Sequence, residues 1–141
     1  MTIDFKAAPV VMLTILRYRD CTTALRILTK VFGLEEGVTT EYDDAGNVTH
    51  SEIWHGNTGL IIAPVRDTAF GRLMRQPDEA GGVTQRNLYV IEKVDEHHDR
   101  SVAAGLEIVM PLMTLEWGAR EYSVRDHEGH IWTFSDYVPK R

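Results

Sequence analysis

The sequence predicts an α+β protein in which one βαβββ module occurs twice. Three observations carry this expectation. The first is a pair of matching hairpins. Glu52-Ile-Trp-His55 reaches the turn Gly56-Asn-Thr-Gly59 and continues as Leu60-Ile-Ile-Ala63, while Arg120–Arg125 reaches Asp126-His-Glu-Gly129 and continues as Ile131–Phe134. Aromatic and β-branched residues bounded by glycine-containing turns are strand signals. The second is that an apolar run and then a helical pattern lead into each half. The third is that the two helix exits match, Phe32-Gly-Leu-Glu35 in one half and Ala104-Gly-Leu-Glu107 in the other.

The elements follow in order. Val10–Arg17 is an apolar run of strand composition. Asp20, Thr22 or Thr23 can cap the helix that follows, by accepting from a free backbone N–H. Leu25, Leu28, Val31 and Phe32 recur on one helical face, and Gly33 is the stop, since glycine enters the left-handed conformation without a Cβ clash. Strands are expected at Val38–Tyr42, Val48–His55 and Leu60–Ala63, the first two joined by Asp43-Asp-Ala-Gly-Asn47. In the second half Asn87–Ile91 is a strand, Asp95 caps a helix through Val102, Ala103 and Ala104, and Gly105 stops it. Glu107–Pro111, Arg120–Arg125 and Ile131–Phe134 complete the unit. Residues 1–141 form a single domain, with modules at 10–64 and 85–137 and a linker at 65–84 that has helical content at Phe70–Arg75.

Composition narrows the partners. Of 141 residues, 43% are hydrophobic and 26% charged, as in ordinary globular proteins. No apolar run approaches the roughly 20 residues of a membrane helix, and the opening Met-Thr-Ile-Asp-Phe-Lys is not a signal sequence. A single cysteine, Cys21, precludes an internal disulfide. The expected location is the cytoplasm. The net charge of −6, with basic residues scattered rather than striped, argues against nucleic acid. A module whose helix covers one sheet face must have the other face covered by a second module, from the same chain or a partner. That arrangement leaves a cavity suited to a small molecule.

With these landmarks in place, the chain resembles the vicinal oxygen chelate superfamily, which includes glyoxalase I, extradiol dioxygenases and the fosfomycin- and bleomycin-resistance proteins. The matching stretches are Leu16-Arg-Tyr-Arg-Asp20 with Ala24 and Val31-Phe-Gly33, His50-Ser-Glu-Ile-Trp54, Tyr89-Val-Ile-Glu-Lys-Val-Asp95, Ala103-Ala-Gly105, and Trp117-Gly-Ala-Arg120 through Asp126-His-Glu-Gly-His-Ile-Trp132. The resemblance implies paired modules, a cup-shaped mixed sheet and a homodimer. Metal-using relatives place His and Glu ligands on the first and last strands of each module. Those positions fall near Leu13, within Leu60–Ile62, near Arg86 and on Thr133, none of which is a ligand type for a divalent ion. The expectation is therefore a metal-free small-molecule-binding protein with no cofactor. A metal-dependent lyase, isomerase or dioxygenase, with a divalent ion, is the alternative.

Candidate residues follow from side-chain chemistry. His50, Glu52 and Trp54 share one strand face, and the pair His50 and Glu52 is the candidate for acid–base chemistry. Trp54 and Trp117 can stack on a planar or cationic ligand, whereas Trp132 and Phe134 belong to the core. Arg86 can hold a carboxylate or phosphate, or pair internally with Glu52 or Glu121. Arg120 and Tyr122 alternate against Glu121 and Ser123, so one pair faces the cavity. The resemblance places Thr133 on the cup side, which by register turns Trp132 and Phe134 toward the helices. The ligand-binding set is thus Trp54, Arg86, Trp117, Arg120, Tyr122 and Thr133. His97 and His98 are expected in solvent.

Overall fold

The computed structural model describes residues 12–141, and within them strand, helix and three strands occur twice over. The first module comprises β1 (Thr14–Tyr18), α1 (Cys21–Arg26), β2 (Glu35–Tyr42), β3 (Val48–His55) and β4 (Thr58–Pro64). A linker carrying the short helix α2 (Pro77–Ala80) leads to β5 (Asn87–Val90), α3 (Val94–Ala103), β6 (Glu107–Thr114), β7 (Arg120–Arg125) and β8 (Ile131–Ser135). Val10 and Val11, expected in the first strand, lie outside the described residues.

The sheets are ordered β1-β4-β3-β2 and β5-β8-β7-β6. In each, the first and last strands of the module run parallel and the remaining pairs antiparallel. Such mixed sheets arise because the helix crossover returns the chain in the same direction, whereas tight turns reverse it.

Helix α1 opens as anticipated. The Asp20 carboxylate accepts from Thr23 N at 2.9 Å and from the Thr23 hydroxyl at 2.6 Å, bonds that hold its pKa below the usual carboxylate range, the hydroxyl contributing most. The Thr22 hydroxyl instead accepts from Val48 N at 2.9 Å, tying the helix start to β3. Past Arg26 the helix widens into a π-helical turn over Ile27–Val31, closed by Phe32 N donating to Ile27 O at 2.9 Å. The wider turn lets Ile27, Leu28, Val31 and Phe32 all face inward. Gly33 follows at φ 75°.

Two expectations change at α3. The helix begins at Val94, with Lys93 in the capping position making no side-chain bond. Asp95 lies in the first turn, where its carboxylate is taken by the Arg120 guanidinium at 2.8 and 3.2 Å. A forked, charge-assisted pair outcompetes a cap. His97 is not solvated but 3% exposed. Its Nε2 bonds Phe32 O at 2.8 Å and its Nδ1 the Tyr122 hydroxyl, so it joins the two modules. The linker holds a single 3-10 turn at Gly71–Leu73 before α2. Arg19 anchors α2 through Asp78 and Glu79 at 3.1 and 2.8 Å.

Within the chain the modules meet through their helix-bearing sides, which share one core cluster. Phe32 of the first module lies against Trp132 and Phe134 of the second, with ring centroids 5.6 and 4.8 Å apart. The turn after β7 completes the junction. Asp126 accepts from the Tyr18 hydroxyl at 2.7 Å and Trp132 Nε1 at 3.0 Å, and Glu128 accepts from Arg19 N and Asp20 N at 2.7 and 2.8 Å. The opposite face of each sheet is left open. Ile15 on the first and Leu88 on the second are 55% and 44% exposed.

Candidate functional site

An open cavity of about 1060 Å³ lies on the open face of the second module, and all its lining residues come from that module and the tail after it. Leu88 of β5, Met110 of β6 and Glu121 of β7 form the floor. Strand register explains their side. Tyr122 opposes Phe134, a core residue, so Glu121 and its partner Ser135 must point the other way.

The turn Leu115–Ala119 makes one wall. It is closed by Leu115 N donating to Ala119 O and Gly118 N to Leu115 O, both at 2.8 Å, and Gly118 takes φ 93°, which suits glycine. The turn lifts Trp117 beside the cavity, 70% exposed. The tail after β8 makes the other wall with Tyr137 and Val138. It is held by Arg120 N donating to Asp136 Oδ1 at 2.7 Å and Tyr137 N donating to Ser135 Oγ at 3.1 Å. Arg86 and Lys140 stand at the exposed rim.

Glu121 is the chemically distinctive group, a carboxylate 6% exposed on an apolar floor. Its Oε1 accepts from Ser135 Oγ at 3.2 Å. Beside it Ser123 and Thr133 bond to each other at 2.7 Å.

The anticipated residues divide into three groups. Trp117 and Arg86 line the cavity; Arg86 makes no ion pair with Glu121 or Glu52 among the described residues. His50, Glu52 and Trp54 are half-buried on the open face of the first module, away from the cavity. The Trp54 ring lies against Gly37 and Gly59, where an added Cβ would come within 2.9 and 2.7 Å of it. The rest do not reach the cavity. Arg120 and Tyr122 face the helix side, which resolves the alternation in favour of Glu121 and Ser123. Arg120 is committed to Asp95, and Tyr122 is fully buried, bonded to Ser101 at 2.8 Å and to His97. Burial pushes the Tyr122 hydroxyl up to about 12. Thr133 is on the open side but fully buried, its hydroxyl occupied by Ser123. Sequence reasoning left Glu121 as one of two open alternatives and missed Leu88, Met110 and Tyr137 as lining residues. The signal for Glu121 was available, because the inward placement of Phe134 sets the phase of the strand beside it.

The donor set does not fit a divalent ion at the superfamily's ligand positions. Leu60 and Ile62 are buried on the helix side, Thr133 is enclosed, and Arg86 is a cation. Among the described residues no group of three or more His, Cys, Asp or Glu side chains is placed to hold a metal. No described helix is long and apolar enough to cross a membrane.

A doubled βαβββ chain with open sheet faces and a cavity on one of them defines a class of small cup-forming proteins. Residues 10–134 match the Glyoxalase/Bleomycin resistance protein/Dioxygenase superfamily, and the chain belongs to that superfamily. Among solved structures it is similar to TioX from Micromonospora sp. ML1, at 29% identity over 92% of this chain and 100% of that one, with a TM-score of 0.68. It is also similar to the fosfomycin resistance protein FosX from Listeria monocytogenes, solved with Mn(II) and sulfate, at 16% identity over 93% and 94% of the two chains and a TM-score of 0.67. A superfamily member from Sphaerobacter thermophilus shares 16% identity over 91% and 97% of the two chains, again at 0.67. At 16% identity these last two show the fold alone. No curated protein sequence matches the chain.

Proposed function

We propose that this is a small-molecule-binding protein that works without a metal. Its ligand sits on the open face of the second module, and the open face of the first module of a second copy closes the cup. The observation that carries this reading is the cavity of about 1060 Å³, large enough for a drug-sized ligand, with an apolar floor and one shielded carboxylate. The exposed Ile15 and Leu88 support the pairing, since an open sheet face bearing apolar side chains calls for cover. Likeness to a fosfomycin resistance protein supports a cup fold, but the residues that would hold a metal here are of the wrong type.

Light scattering together with elemental analysis of protein purified without chelator tests the reading. A dimer without stoichiometric metal is expected, with no thermal shift on adding Ni²⁺, Zn²⁺, Mn²⁺ or Fe²⁺. The metal-dependent lyase, isomerase or dioxygenase reading keeps one structural point in its favour, the half-buried His50 and Glu52 side by side on the open face of the first module. Stoichiometric metal, or a saturable shift abolished by Glu52→Gln or His50→Ala, would replace the binding role with that one.

A further inference from the structure

We infer that the ligand of this cavity carries a protonated nitrogen on a flat apolar body, and that Glu121 is the residue that selects it. The inference rests on the binding role proposed above and supplies its chemistry.

The argument starts from how the chain treats its other shielded carboxylates. Asp126, also 6% exposed, accepts from the Tyr18 hydroxyl, Trp132 Nε1 and the backbone N–H groups of Glu128 and His130. Glu128 accepts from Arg19 N, Asp20 N and Gln76 Nε2. Each is close to saturated, as buried carboxylates should be. Glu121 is equally shielded, yet the Ser135 hydroxyl is the one donor it has among the described residues, and no described Lys or Arg pairs with it. Its second oxygen is left with nothing but the cavity in front of it. A carboxyl group with unused acceptor capacity facing a cavity is placed to bond a donor that enters it, so the further donor is one the ligand brings.

The surroundings define the rest of the ligand. Leu88 and Met110 offer apolar contact, and the Trp117 indole presents a face on which a flat ring can stack and a cation is favoured. Arg86 and Lys140 oppose a cation in sign. Both are exposed at the rim, where water and salt screen them, whereas Glu121 acts from the shielded floor.

The test uses three probes with one ring system: naphthylmethylamine, naphthylmethanol and naphthoate. Each is titrated calorimetrically into the intact protein, the Glu121→Gln variant and the Trp117→Ala variant. The amine should bind wild type at least about 10-fold tighter than the alcohol, as expected for a charge-assisted bond. Glu121→Gln should erase that preference by weakening the amine at least about 10-fold more than the alcohol. Trp117→Ala should weaken all three together. The amine–alcohol preference is read on wild type, so it stands as a test even if Glu121→Gln fails to fold. Equal binding of amine and alcohol, or tightest binding of naphthoate with sensitivity to Arg86→Ala, would overturn the role of Glu121 and leave the cavity's binding role intact. Absence of binding by all three would overturn the binding role itself.

Discussion

Asp43–Asn47 in the first module and Leu115–Ala119 in the second are one turn built twice. Both join strands of the same hairpin and have five residues. Both close with the first N–H donating to the last carbonyl, at 2.9 and 2.8 Å, and both carry a glycine in fourth place, at φ 86° and 93°. Their side chains differ. Asp43 turns its carboxylate back onto the N–H groups of Ala45 and Asn47, and the turn stays polar and low. The second copy has Leu115 in place of Asp43 and Trp117 in place of Ala45. One module therefore keeps an open face carrying Ile15, His50, Glu52 and Trp54 with a polar turn beside it, and the other gains a walled cavity over Glu121. The two modules differ here in the side chains of a repeated turn and in the tail after β8, without a new element of secondary structure.

The contrast between inner and outer faces gives the largest expected effect. Trp132 is fully buried and donates to Asp126, so Trp132→Ala should cost about 3–5 kcal/mol. Trp54→Ala on the open face should cost about 1 kcal/mol, because that side chain is only partly buried, resting against Gly37 and Gly59. Urea unfolding midpoints compare the two directly, and equal losses would break the distinction between the faces.

Acid should probe the junction between the modules next. Burial lowers the pKa of His97 from 6.5 to about 4, so the unfolded chain binds a proton there that the folded chain refuses. Stability should fall as pH drops from about 6.5 to about 4, by up to about 3 kcal/mol, and His97 should add no further loss below that. Exposed carboxylates held low by their partners, such as Asp95 beside Arg120, lose their contribution only as pH falls below the ordinary aspartate range. The two windows are separable. His97→Gln should flatten the upper one, and an unchanged profile would show that the junction does not titrate there.

The floor of the second module gives a smaller effect. Thr133→Val leaves the Ser123 hydroxyl without its partner in a dry site and should cost about 1–2 kcal/mol. The double variant Ser123→Ala with Thr133→Val should recover most of that loss, and a double-mutant cycle measures the coupling. The smallest effect belongs to the paired turns. Trp117→Ala and Ala45→Trp should each stay within about 0.5 kcal/mol of the parent in thermal melts, since both positions are exposed. Only the first should weaken ligand uptake.

Much of the fold was legible in the sequence because its signals are local. Asp20, Thr22 or Thr23 as a cap, Gly33 and Gly105 as helix stops, and the shared face of His50, Glu52 and Trp54 involve residues a few positions apart. The errors were of longer range. Asp95 reads as a cap until Arg120, 25 residues on, takes its carboxylate. His97 looks like a surface residue of a polar helix until Phe32 O, 65 residues away, supplies its buried partner.

By itself the sequence determined the two modules, their order of elements and the side of each strand relative to its neighbours, because backbone periodicity and capping act between near neighbours. Only the tertiary structure decided which side of β7 faces the cavity. Burying a polar group is tolerated where a partner waits, and those partners come from elements distant in the sequence. It is why Tyr122 turned inward to His97 and Ser101, and why Glu121 was left on the open face with the Ser135 hydroxyl beside it and the cavity before it.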